Sequence, residues 1–167
     1  MTGWGDLPGS RLIGLDVAGT ALFTVTAAVA AVAGGWSLWP AFVVQLALFV
    51  AGLALFVAAY ATAVARSREA EMGIGGLFFL AGRDTAPAAV RRWLLGAFAV
   101  QCVVALAAAA ARPFSGLAFA VLAPLFGVGV QGLWAARHGQ FAPRVRTPSR
   151  SRNSRSHEEM GKNVRHG

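Results

Sequence analysis

The sequence predicts an all-α protein: a four-transmembrane-helix bundle with both termini cytoplasmic, an interfacial central loop and a disordered basic C-terminal tail. Three observations predict it. Of the 167 residues, 56% are apolar and only 13% charged, whereas a soluble domain carries about 45–50% apolar and roughly 25% charged residues. The apolar excess is gathered into four runs, each near the roughly 20 residues that cross a bilayer as a helix. The charge is lopsided as well: of a formal +8, the residues from Arg137 onward carry +6.

The chain divides into a short N-terminal segment (1–11), a transmembrane domain (12–136) and a tail (137–167). The first span covers about 12–33, the second about 39–63, the third about 93–111 and the fourth about 114–136. Helix is preferred over strand because backbone polar groups in hydrocarbon must be satisfied within the segment. One alternative concerns the first span. Arg11, the apolar run and Ala28-Val29-Ala30 or Ala31-Val32-Ala33 before Gly34 imitate a signal peptide with its small-residue cleavage site. The run is longer than a typical signal core and contains Asp16, Thr20, Thr24 and Thr26, which favours a retained span.

Orientation follows from the basic residues in short loops. The link 34–38 between the first two spans has no charge, and the link before the fourth has only Arg112, followed by the turn-forming Pro113. The central loop (64–92) holds Arg66, Arg68, Arg83, Arg91 and Arg92. Both termini and this loop are therefore expected in the cytoplasm. Amphipathic rings favour the head-group level: Trp36 and Trp39 fall at the outer surface, and Tyr60, Trp93 and Trp134 at the inner one.

Within the central loop, the apolar stretch 73–82 is too short to span and suits a segment lying in the interface or dipping shallowly into it. Its glycines lack the strand that a dinucleotide fingerprint requires. Thr85 and Pro87 read as a helix start, so the third helix begins before its membrane span. In the tail, prolines, serines and arginines without apolar periodicity lack the surface needed to order a fold. The Ser-Arg repetition at 149–152 is read as a topology anchor touching anionic lipid, not as a specific nucleic-acid contact.

Polar residues inside the spans sort onto faces. Asp16, Thr20, Thr24 and Ala28 recur every four residues in the first span. Gln45, Leu48, Gly52, Leu55, Ala59 and Thr62 share a face of the second, where the leucines make it the weaker candidate for close packing. Gly116, Ala120, Pro124, Gly127, Gln131 and Ala135 form a more uniformly small stripe in the fourth, and Pro124, mid-span, removes a backbone hydrogen bond and can kink the helix there. Phe42, Phe49 and Phe56 line another face of the second span, to face lipid or pack a neighbour.

Asp16 is the one formally charged side chain clearly inside a span, and an intramembrane carboxylate is a functional-site hypothesis by default. Counted from flanking arginines at 1.5 Å per residue, Asp16, Gln131 and Gln101 lie about 8, 9 and 14 Å deep. These three are the expected intramembrane polar cluster, with the Gln131 amide donating to Asp16 and Gln101 extending the network. Gln45 lies nearer the opposite surface and is expected outside it. Arg91, Arg92, Arg137, Arg144 and Arg146 are the expected lipid head-group anchors.

No catalytic and no metal site is expected. Cys102 is the single cysteine, and His138, His157 and His166 all follow the last span. No zinc-protease, nucleophile-elbow or phosphate-loop motif occurs, and Glu69 and Glu71, two residues apart, would not face each other on a helix. No cofactor is implied.

The segment 91–144, ending in Gly132-Leu133-Trp134-Ala135-Ala136-Arg137-His138-Gly139-Gln140-Phe141, resembles uncharacterised small four-pass membrane proteins of high-GC Gram-positive bacteria. The resemblance covers about a third of the chain and implies a bacterial plasma (inner) membrane location, with no activity attached. The expected function is a non-enzymatic accessory or scaffold subunit that binds the lipid bilayer, its anionic lipids and another membrane protein or a second copy of itself. The alternative is a small transporter or channel-like oligomer using the polar cluster around Asp16. A third class, a lipid-binding or lipid-modifying protein using the central loop, also remains open.

Overall fold

A computed structural model describes residues 7–67, 74–81 and 85–141 of the chain. They form α1 (Ser10–Ala33), α2 (Leu38–Arg66), a short α3 (Ile74–Phe79), α4 (Ala88–Ala111) and α5 (Leu125–His138). Two 3₁₀ pieces, Gly35–Ser37 and Gly116–Leu122, precede α2 and α5. No strand occurs among the described residues. Four helical units, including the Gly116–His138 unit, are long and apolar enough to cross a membrane.

The helices bury small and polar side chains and turn large aliphatic ones outward. On α1, Asp16, Thr20, Ala27 and Ala30 are buried while Leu22, Val25 and Val29 are exposed. On α2, Ala41, Gln45, Gly52 and Ala59 are buried while Val43, Val50, Leu53 and Val57 are exposed. Water would favour the reverse, but hydrocarbon solvates aliphatic side chains and leaves polar ones to find partners inside the bundle. This is the construction of a multi-pass membrane protein.

Each connection has a local cause. Between α1 and α2 the chain reverses through Gly34 (φ 62°) and Gly35 (φ 54°), left-handed conformations that glycine adopts without a Cβ penalty. Arg112 sits over this turn: its Nε donates to the Ala31 carbonyl (3.2 Å), and a Cβ on Gly34 would lie 2.8 Å from its guanidinium. A cation at the last carbonyls of a helix is electrostatically favourable. At the opposite end, Arg66 does the same for α5 by donating to the Ala136 carbonyl.

The fourth span is not one α-helix. It opens as seven residues of 3₁₀ helix and becomes α only after Pro124. Proline has no N–H to give the Ala120 carbonyl and its ring crowds the preceding turn. Ala123 N–H bonds Ala120 O instead, at 3.0 Å, and Phe126 N–H bonds Ala123 O, at 3.0 Å. Ser115 caps the 3₁₀ piece by accepting from Leu117 N–H (3.2 Å).

The most extensive helix pair is α2 with α5. A Cβ on Gly129 would stand 2.5 Å from the Gly52 carbonyl oxygen, and one on Gly52 would stand 2.5 Å from the Phe126 nitrogen. The face of α2 expected to pack less closely is thus in backbone contact with its neighbour. Its leucines frame the crossing without holding it open. Phe56 stacks on Phe78 (4.6 Å, 13°) and Phe42 meets Phe119 edge-on (5.5 Å), so both pack neighbouring segments.

Two other expectations are corrected. Trp134 is not in an interfacial belt: it is fully buried, donates from Nε1 to the Pro8 carbonyl (2.7 Å) and stacks on His138. Within the central loop, Leu77, Phe78 and Leu80 are buried in the core with Val130, Leu133 and Trp134. Residues 137–141 do not begin a free tail. The α5 helix runs through His138, and Phe141 packs on Gly76 and Gly139. The rest of the tail (142–167) lies outside the described residues, as do 1–6, 68–73 and 82–84.

Candidate functional site

Asp16, Thr20 and Gln101 meet where α1, α4 and the start of α5 converge. The three sequence-predicted residues are all buried there or close by: Asp16 and Gln131 fully, and Gln101 almost so. Gln101 is the hub. Its Nε2 donates to Asp16 Oδ1 (3.1 Å) and to Thr20 Oγ1 (2.7 Å), and its Oε1 accepts from Gly127 N–H (3.2 Å). Thr20 Oγ1 in turn donates to the Asp16 carbonyl one turn back (2.7 Å).

The Gly127 contact has a structural origin. A helix that restarts after a proline leaves its first N–H groups without intrahelical acceptors. Gly127 is the third residue of α5, and the Gln101 side chain from α4 supplies the missing acceptor. A Cβ there would lie 2.7 Å from Gln101 Oε1, so a larger residue would have to displace the amide. The break at Pro124 and the glutamine of another helix are two halves of one device.

Gln131 does not donate to Asp16 as expected. Its Nε2 donates to the Leu94 carbonyl of α4 (3.2 Å). The depth count carried no information on azimuth, and α5 turns that side chain toward α4. Two amides therefore tie α4 to α5 in opposite senses, Gln101 to the backbone of α5 and Gln131 to the backbone of α4. Among the described residues, Asp16 Oδ2, Gln131 Oε1 and both polar atoms of Gln45 are buried without a hydrogen-bond partner.

Sequence reasoning omitted Thr20 and Gly127 from the cluster. Thr20 was detectable, four residues after Asp16 on the same face. The Gly127 N–H was hidden because its exposure depends on how the chain re-enters helix after Pro124. Of the expected head-group anchors, Arg92 and Arg137 are exposed and Arg91 is half-buried, whereas Arg144 and Arg146 lie outside the described residues. The small stripe of the fourth span is mostly inside the bundle: Ala120, Gly127, Gln131 and Ala135 are buried.

Two outer clefts follow the seam between α1 and α4. One of about 650 Å³ is lined by residues including Val17, Ala21, Arg92, Trp93 and Gly96. The other, about 330 Å³, continues from Thr24 along Ala27, Ala28, Ala31, Ala107 and Ala111. No protein-family model, curated protein or solved structure matches the chain.

Proposed function

We propose that this chain is a non-enzymatic accessory or scaffold subunit of a bacterial plasma membrane, with both termini cytoplasmic, which binds another membrane protein or a second copy of itself. The observation that carries this reading is the alanine-lined seam of α1 and α4 near their Ala31 and Ala111 ends. Small side chains let a further helix approach closely, and in lipid such packing drives association. This surface replaces the stripe of the fourth span, which is buried within the bundle, as the one offered to a partner. The basic tail and the exposed arginines are read as contacts to anionic lipid.

The test is affinity purification in mild detergent of the full chain and of the double variant Ala28→Leu/Ala107→Leu. Both positions are exposed, so folding should survive. The expected result is a stoichiometric membrane partner, or a homo-oligomer, reduced at least fivefold by the double change. A monomer without partners, or capture indifferent to the change, would overturn the reading.

A second reading, a small transporter or channel-like oligomer, is favoured by one observation. Asp16 Oδ2 and Gln131 Oε1 are buried acceptors without partners among the described residues, as the lining of a polar path would be. Replacement of Asp16, argued below, separates the two readings.

A further inference from the structure

We propose that the larger α1–α4 cleft is a binding site for one anionic glycerophospholipid, with an acyl chain lying between the two helices and the phosphate on Arg92. The inference does not depend on the scaffold reading, which rests on the other end of the same seam.

The cleft has the dimensions of such a site. Its lining runs from Arg92 to Val100 on α4 and from Val17 to Val25 on α1. Eight residues of helix rise about 12 Å, close to one leaflet of a hydrocarbon core about 30 Å thick. A volume of about 650 Å³ falls within the roughly 300–1,000 Å³ of small-molecule sites.

Its chemistry is graded along that length. The deep part is walled by Val17, Ala21, Val25, Ala97 and Val100. The hydroxyls of Thr20 and Thr24 also line it, but both donate to α1 carbonyls, at 2.7 and 2.8 Å. A polar solute would find no unengaged hydroxyl proton there, whereas an alkyl chain loses nothing. At the mouth stand Arg92 and Trp93. Arg92 is exposed and has no hydrogen-bond or ion-pair partner among the described residues. A guanidinium beside an indole marks head-group depth, and basic pockets between transmembrane helices recognise anionic lipid head groups. Charge at the mouth and alkane-like walls together select an anionic lipid over a zwitterionic one.

Gly96 makes the site. It lies on the cleft wall with nothing within 4 Å of where a Cβ would be, so the space before it is open to a guest. A leucine there would project into the cleft and take up part of its space.

The experiment is native mass spectrometry of the full chain in mild detergent, titrated with phosphatidylglycerol or phosphatidylcholine. One phosphatidylglycerol should be retained per chain, at least fivefold in preference to phosphatidylcholine. Arg92→Gln should bring the two lipids to equal retention. Gly96→Leu should lower both at least fivefold while the melting curve in detergent stays unchanged. Should Gly96→Leu fail to fold, Ala21→Leu on the facing wall must give the same loss. Unchanged retention in the wall variant, or an undiminished preference in Arg92→Gln, would overturn the proposal. So would a dimer that Gly96→Leu dissociates with the lipid count unaltered, because the occupant would then be a second copy of the chain.

Discussion

At Gln101 both protons and the carbonyl oxygen of one amide are engaged at once, with acceptors on α1 and a donor on α5. Gln101→Leu would remove all three bonds and leave the Gly127 N–H and the Asp16 carboxylate buried without them. Individual interhelical hydrogen bonds in membranes average about 0.6 kcal/mol, while an orphaned buried polar group costs about 1–3 kcal/mol. The expected loss for Gln101→Leu is therefore about 1–3 kcal/mol, read as a lowered melting temperature in detergent. Asp16→Asn keeps the Oδ1 acceptor and should cost less. If the two residues act as one tie, the double variant falls short of additivity by at least about 0.5 kcal/mol. If Asp16 instead lines a polar path, Asp16→Asn abolishes flux in proteoliposomes while the melting temperature barely moves. Additive, near-zero effects on stability together with intact flux would refute both roles. Asp16 and Gln101 were legible as members of one polar cluster, but their direct bond was not legible, because the count from flanking arginines set them about 8 and 14 Å deep. The Gln131 partner was not, because depth fixes height in the bundle and leaves the direction of the side chain to packing.

Between elements, the closest approach is the crossing of α2 and α5 at Gly52 and Gly129. The atoms that a new Cβ would strike on either side include backbone, so no rotamer change relieves the clash and the helices must separate. Gly52→Ala and Gly129→Ala should each destabilise by about 1–3 kcal/mol, the usual cost of overpacking. Gly96→Ala is the matched control: on open helix surface it should be neutral or stabilising by up to about 1 kcal/mol. Thermal unfolding of the three variants in one detergent checks the contrast, and equal effects at all three sites would show that the crossing is not tight. This crossing was misjudged from sequence because Leu48 and Leu55 flank Gly52 on the same face. A face was scored by its average size, whereas contact is decided where one glycine meets another. A distortion at Pro124 was legible as a kink, since its missing N–H is a property of the residue. That the segment before it would wind as 3₁₀ was not, because the form follows from how the Ser115 cap and the Ala120 carbonyl are satisfied.

Across the whole molecule, charge and fold agree on a polarity. Among the described residues, Arg66 reaches Ala136 near the end of α5, and Trp134, on the same helix, bonds Pro8. The N-terminal entry, the end of α2 and the end of α5 thus share one end of the bundle. Arg112 lies at the other, bound to the end of α1. The four-span plan was legible because apolar length and loop arginines are local quantities. Trp134 was misplaced because a tryptophan near a helix end looks the same in sequence whether it meets lipid or, as here, the entry turn of its own chain at Pro8. The positive-inside bias predicts that the arginine-rich end faces the cytoplasm. Arg112 does not weaken this prediction, since its guanidinium is engaged by the α1 carbonyl and covers Gly34. In a Cys102→Ala background, single cysteines at Ser37 and Phe114 should react with a membrane-impermeant maleimide in sealed cells. A cysteine at the exposed Gln140 should react only after permeabilisation. The reverse pattern would invert the protein in its membrane, and with it the leaflet from which the α1–α4 cleft draws its lipid. Labelling at all three positions in sealed cells would instead mean that the ends gathered by Arg66 and Trp134 do not share one side, contrary to the bundle.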